Sequence, residues 1–140
     1  MLAMIKNLFF PICFFIAVIF LGCSPGLHYS ADAYQRDTNI ETKVLQVLKN
    51  TSDSYSAHAA EIDAIKADIN NAIALERARK GNQVTVKMWE AVQQDKGNLY
   101  DLFELWKTND KLSPAIAGDI SKKVERLLGS ITELEAHKMR

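Results

Sequence analysis

The chain has 140 residues, with 17 Lys and Arg against 17 Asp and Glu and a formal net charge of zero. That balance excludes the basic composition of a nucleic-acid-binding module, and 48% hydrophobic residues exclude intrinsic disorder. Only 6 Gly and 3 Pro exclude a collagen-like or turn-rich chain, which leaves one small globular body as the expectation.

Met1 to Asn7 carries one positive side chain, Lys6, and Leu8 to Gly22 follows as fifteen residues without a charge. A positive start before an apolar run is the pattern of a secretory signal. As a helix the run reaches about 22 Å, short of the roughly 30 Å hydrocarbon core, so export is favoured over a permanent span. It ends in Phe20, Leu21, Gly22 and Cys23. This ending resembles the lipobox of bacterial lipoproteins, with Phe20 where an aliphatic residue is usual. The resemblance implies a signal peptide over residues 1–22, cleavage before Cys23, and acylation of that cysteine. With Ser24 rather than aspartate next, it also implies placement at the periplasmic face of the outer membrane. Two or three acyl chains anchor stably where one is marginal. Cys13 lies inside the discarded run, so the mature chain keeps one cysteine and forms no internal disulfide.

Residues 23–37 include Pro25 and Gly26 and lack a sustained apolar period, which predicts a lipid-anchored flexible tether ahead of a helical body over 38–140. Thr38 and Glu41 have capping-box spacing and predict the start of the first helix there. Val44, Val47, Leu48, Tyr55, Ile62, Ile65, Ile69 and Ile73 carry its apolar stripe to Gly81 and Asn82. Asn50 to Ser54 has poor helix propensity and leaves two courses open, a continuous long helix or a chain that folds back. A second helix is expected over Gln83 to Asn109, with Gly97 tolerated inside it. Ser113 and Pro114 give an N-cap followed by proline at the first helical position, and a third helix presents Ile116, Ile120, Val124, Leu127, Ile131 and Leu134.

The fold class is therefore all-α. The expected body is an antiparallel up-down-up three-helix bundle with one long first helix, or a four-helix one if the chain breaks near 50–54. With a continuous first helix, Val44, Val47 and Leu48 outrun their neighbour and need a second copy or a partner to cover them. The same arrangement puts Arg77, Arg79 and Lys80 at the end remote from the anchor, as compensation of the helix dipole.

Few constellations carry chemistry. His28, His58 and His137 are widely separated and show no paired metal-ligand spacing. Nothing resembles a nucleophile elbow or a glycine-rich phosphate loop, so a catalytic site and a cofactor are not expected. On the second helix Trp89 and Tyr100 lie beside the apolar stripe and Leu105 lies opposite. They serve either a helix that touches two neighbours or an anchor for a partner protein. The reading is a lipid-anchored envelope protein with a structural or protein-interaction role. A narrower form docks or escorts a secretion or conjugation assembly; the alternative is a carrier of a small ligand or metal in a bundle cavity.

Overall fold

Ser30 begins the first helix, eight residues before the expected cap. The computed structural model describes residues 28–94 and 97–139, and the expected signal peptide, Cys23 and most of the tether lie outside them. Ser30 Oγ accepts from the Ala33 amide at 3.2 Å, and α1 runs Ala31–Leu48. The last seven residues of the expected tether are thus helical, with Ala33 and Asp37 buried. Thr38 sits mid-helix, where its hydroxyl donates to the Tyr34 carbonyl, and Glu41 accepts from Thr132 Oγ1 instead of closing a capping box. The threonine-to-glutamate spacing recurs in helix interiors, and the serine upstream takes the cap.

The remaining helices are α2 (Tyr55–Ala78), α3 (Gln83–Gln93), α4 (Leu99–Asn109) and α5 (Pro114–His137). The described residues form five helices and no strand, so the three-helix expectation gives way to a body with two additional breaks. The first break is at 49–54, where turn-forming residues end α1; Leu112 donates its amide to the Thr51 carbonyl and Tyr55 donates to that of Asp110. The second separates α3 from α4 around Gly97, whose φ of +83° lies in the left-handed region. Asn98 Nδ2 donates to the Ala91 and Gln94 carbonyls and closes α3, while the Gly97 amide donates to Asp101 Oδ2 at the start of α4. Ser113 and Pro114 begin α5 as expected, with Ser113 Oγ accepting from the Ile116 amide.

α1 packs against α2 and α5, and α3 and α4 each pack against α2 and α5. Four antiparallel rods result, the third being the broken pair α3 and α4. The core runs from Ile40, Val44 and Val47 through Ile62, Ile65 and Ile69 to Trp89, Phe103, Trp106, Leu128 and Ile131. Val44 and Val47 are covered within the chain. On α5 Val124 and Ile131 are buried as expected, joined by Ala117, Leu128 and Glu135, while Ile120, Leu127 and Leu134 are half-buried at the edge of the stripe and Ile116 is exposed.

The topology defines two ends. The far end holds the 49–54 and 110–113 turns, sealed by Trp106 Nε1 donating to the Asp53 carbonyl at 3.0 Å. Tyr55 packs edge-on against the Trp106 ring at 5.9 Å, and His58 lies 5.4 Å from it. The near end holds the start of α1, the α2–α3 turn and the end of α5: Arg79 Nη2 donates to the His28 carbonyl at 2.6 Å, and the Ser30 amide to Glu135 Oε1 at 2.8 Å.

Candidate functional site

The near end contains the densest chemistry of the described residues, and its carboxylates stand on apolar stripes. Asp37 follows Ala33 and precedes Ile40 and Val44; Glu76 follows Ile69, Ala72 and Ile73; Glu135 follows Val124, Leu128 and Ile131. Each is three or four residues from its buried neighbours, so helix geometry takes all three acids inside.

Buried charges must be paired and hydrogen-bonded, and cations from three elements meet them here. Arg79, just past α2, donates through Nη1 to both Glu76 oxygens at 2.9 and 3.0 Å and through Nη2 to Glu135 Oε1 at 2.7 Å. Lys138 Nζ donates to Glu135 Oε2, to Asn82 Oδ1 at 2.9 Å and to Thr85 Oγ1 at 3.3 Å. Arg36 bridges Asp37 Oδ1 and Glu76 Oε1, and Asn82 Nδ2 donates to Glu76 Oε2 at 2.9 Å. Three carboxylates and three cations thus neutralise one another across α1, α2, α3 and α5.

Burial opposes the charge on Glu135, but hydrogen bonds from Arg79, Lys138 and the Ser30 amide overcome it and hold the carboxyl below its ordinary range. Asp37 goes the other way. Burial, with lesser contributions from the nearby Glu76 and Glu135 charges, outweighs Arg36 and pushes its pKa up from 3.8 to about 6. Its Oδ2 is buried without a hydrogen-bond partner among the described residues. Arg79 is held above its ordinary value by Glu135 and Glu76 despite burial.

The arrangement is a clamp: the acids are committed to cations, and no group of three or more His, Cys, Asp or Glu among the described residues is placed to hold a metal ion. One open groove of about 340 Å³ lies between α1 and α2, lined by Asp32, Gln35, Arg36, Asn39, Lys43 and Asp68 among others. No helix among the described residues is long and apolar enough to cross a membrane.

The residues singled out by sequence fare differently. Trp89 is fully buried, with its indole N–H lacking a partner among the described residues, and cannot be a surface anchor. The break at Gly97 is the reason: the helical phase of α4 does not carry back into α3, whose buried face is Thr85, Trp89 and Val92, with Met88 at its edge. Tyr100 is half-buried; its hydroxyl accepts from Gln93 Nε2 and donates to the Lys66 carbonyl, both at 3.3 Å, while Lys66 Nζ sits 5.4 Å from the ring centroid. Burial pushes the Tyr100 phenol up. Leu105 is half-buried against the core. His58 lies between Asp53 and Glu61, both at 3.4 Å, and His137 faces the Glu133 carbonyl, so no bond joins the two histidines.

The ion cluster itself is missed by sequence reasoning. Its signal is an acid in phase with an apolar stripe, on three helices, with basic residues at the matching ends. No family model matches the chain, and no curated protein or solved structure matches it.

Proposed function

We propose that this chain is a lipid-anchored envelope protein, exported, cleaved before Cys23 and held through acyl chains on that cysteine. Its helical body serves as a structural or protein-interaction component without catalysis of its own. The observation that carries this reading is the uncharged run Leu8 to Gly22 ending directly in Cys23. Two structural features support it. The first described helix is capped by Ser30, seven residues after Cys23, so little chain separates that cysteine from the helical body. The charged groups buried in that body are spent on one another, which suits a scaffold of fixed shape. Docking of a secretion or conjugation component is the narrower form of the proposal.

The test is metabolic labelling with a palmitate analogue. The wild-type chain is expected to take the label and Cys23→Ala to lose it and to accumulate as precursor. Equal labelling of the two would refute the anchor. Mild crosslinking in the envelope followed by purification of the labelled protein is expected to yield a defined envelope protein.

A further inference from the structure

With the chain folding back at 49–54, α2 returns to the end from which α1 starts: Arg79 donates to the His28 carbonyl, and Arg77 and Lys80 lie at that end of the fold instead of the opposite one. Four large apolar side chains stand exposed among the described residues, and three of them lie in or next to elements that end or begin here: Leu75 at 46%, Val84 at 61% and Met139 at 60%. Arg77, Lys80 and Lys87 are exposed at the same end, against the exposed acids Asp32 and Glu133; Arg77 also pairs with Glu90 at 2.6 Å. Half-buried Tyr29 and Tyr34 sit at the same end with ring centroids 6.4 Å apart. Apolar tips, aromatic rings and long cationic side chains at one end of the bundle are the side-chain types of a bilayer interface. The far end offers balanced exposed charges, Lys49 and Lys111 with Asp53 and Asp110, and the single exposed Ile116.

We infer that the near end of the bundle docks directly on a bilayer surface bearing anionic phospholipid headgroups, with Val84 and Met139 entering the interface and Lys80 and Lys87 facing the phosphates. The inference rests on the anchor proposed above, because His28 is five residues beyond Cys23 and so lies no more than about 17 Å from it. α5 spans about 36 Å, which places the 49–54 and 110–113 turns well away from the surface and clear for a protein partner. The closed ion cluster behind this end fits the role, since each buried acid already has its cation and Lys80 and Lys87 remain for lipid.

The test uses the full acylated protein in vesicles of phosphatidylethanolamine and phosphatidylglycerol at three to one. Single cysteines at Val84, Met139 or Ile116 carry an environment-sensitive fluorophore, and spin-labelled lipid is the quencher. Fluorophores at 84 and 139 should be quenched and that at 116 should not. Lys80→Gln and Lys87→Gln should each lower the docked-to-undocked ratio about fivefold, and phosphatidylcholine vesicles should lower it further. A protein that is acylated at Cys23 yet equally unquenched at 84 and 116, or quenched at 116 alone, would overturn the docking and leave the anchor standing. Absence of acylation would overturn the anchor and this inference with it.

Discussion

Arg79 reaches across the near end to Glu135, 56 positions later in the chain, with its two terminal nitrogens 3.2 and 2.7 Å from the carboxylate. This pair joins the turn after α2 to the last turns of α5, and through the Ser30 amide on Glu135 it also fixes the start of α1. The point where the chain would leave its anchor is thereby fastened to two distant helices. Pull or torque at the proposed Cys23 attachment would pass into the whole body instead of unravelling α1.

Truncating Glu135 should be among the most damaging single changes in the protein. Glu135→Ala leaves Lys138, whose side chain is 2% exposed, and part of Arg79 buried without a counter-charge. Breaking a buried pair in this way destabilises by about 3–5 kcal/mol. Urea unfolding followed by circular dichroism should show a midpoint far below that of the surface control Glu125→Ala, which should change stability by under about 0.5 kcal/mol. Equal midpoints would show that the cluster does not hold the fold.

Asp37 gives the cluster a pH dependence opposite to the ordinary acid case. A folded pKa raised to about 6 means that the native state takes up a proton before the unfolded chain does. Stability should therefore rise as pH falls from 7 to about 5, by roughly 1.4 kcal/mol from this one group. Glu135, held below its ordinary value, works in the reverse direction: its stabilisation is present above the unfolded pKa and is lost as pH falls through the folded one. Thermal melting from pH 7.5 to 4 should give a maximum on the acid side of neutrality, and Asp37→Asn should flatten the limb between 7 and 5. A variant with an unchanged limb would assign it to another group.

Most helical segments are legible in the sequence because their signals are local. The α5 start is written in Ser113 and Pro114, the α2 stop in Gly81, and the weakness at Asn50 to Ser54 in residues that compete for their own backbone. What is not legible depends on contacts between segments distant in the chain. Thr38 has the right partner at the right spacing to be a cap, yet Ser30 wins because Ala33 and Asp37 find burial against other helices. Gly97 alone marks a tolerated cost in a helix, and it becomes a break when Asn98 caps α3 and Asp101 accepts from the Gly97 amide. Glu76 and Glu135 look like ordinary solvated charges until Arg79 and Lys138 are placed beside them.

Two glycines should respond to alanine with opposite signs. Gly97 has φ +83°, where a Cβ strains the backbone, so Gly97→Ala should destabilise by about 1–2 kcal/mol. Gly118 lies inside α5 with nothing within 4 Å of a built Cβ. Gly118→Ala should stabilise by about 0.5–1 kcal/mol through helix propensity and a less flexible unfolded chain. Thermal denaturation of both variants checks the sign, and a stabilised Gly97→Ala would mean that α3 and α4 join into one helix in solution.

The fold-back at 49–54 also decides the state of association. A continuous first helix would leave Val44, Val47 and Leu48 in water and forgo about 1.5–3 kcal/mol for each, so that version of the chain would need a second molecule. In the folded-back chain α2 and α5 flank α1, and Val44 and Val47 are fully buried without one. Residues 28–140 should accordingly run as a monomer in light scattering, with amides of 50–54 exchanging faster than those of 40–47 or 62–73. Val124→Asp, which puts a carboxylate at a 1% exposed core position, should unfold this monomer, whereas Lys122→Asp on the exposed face should leave it intact. A stable dimer with protected amides through 50–54 would mean that α1 and α2 run as one helix and that a neighbouring chain supplies the cover.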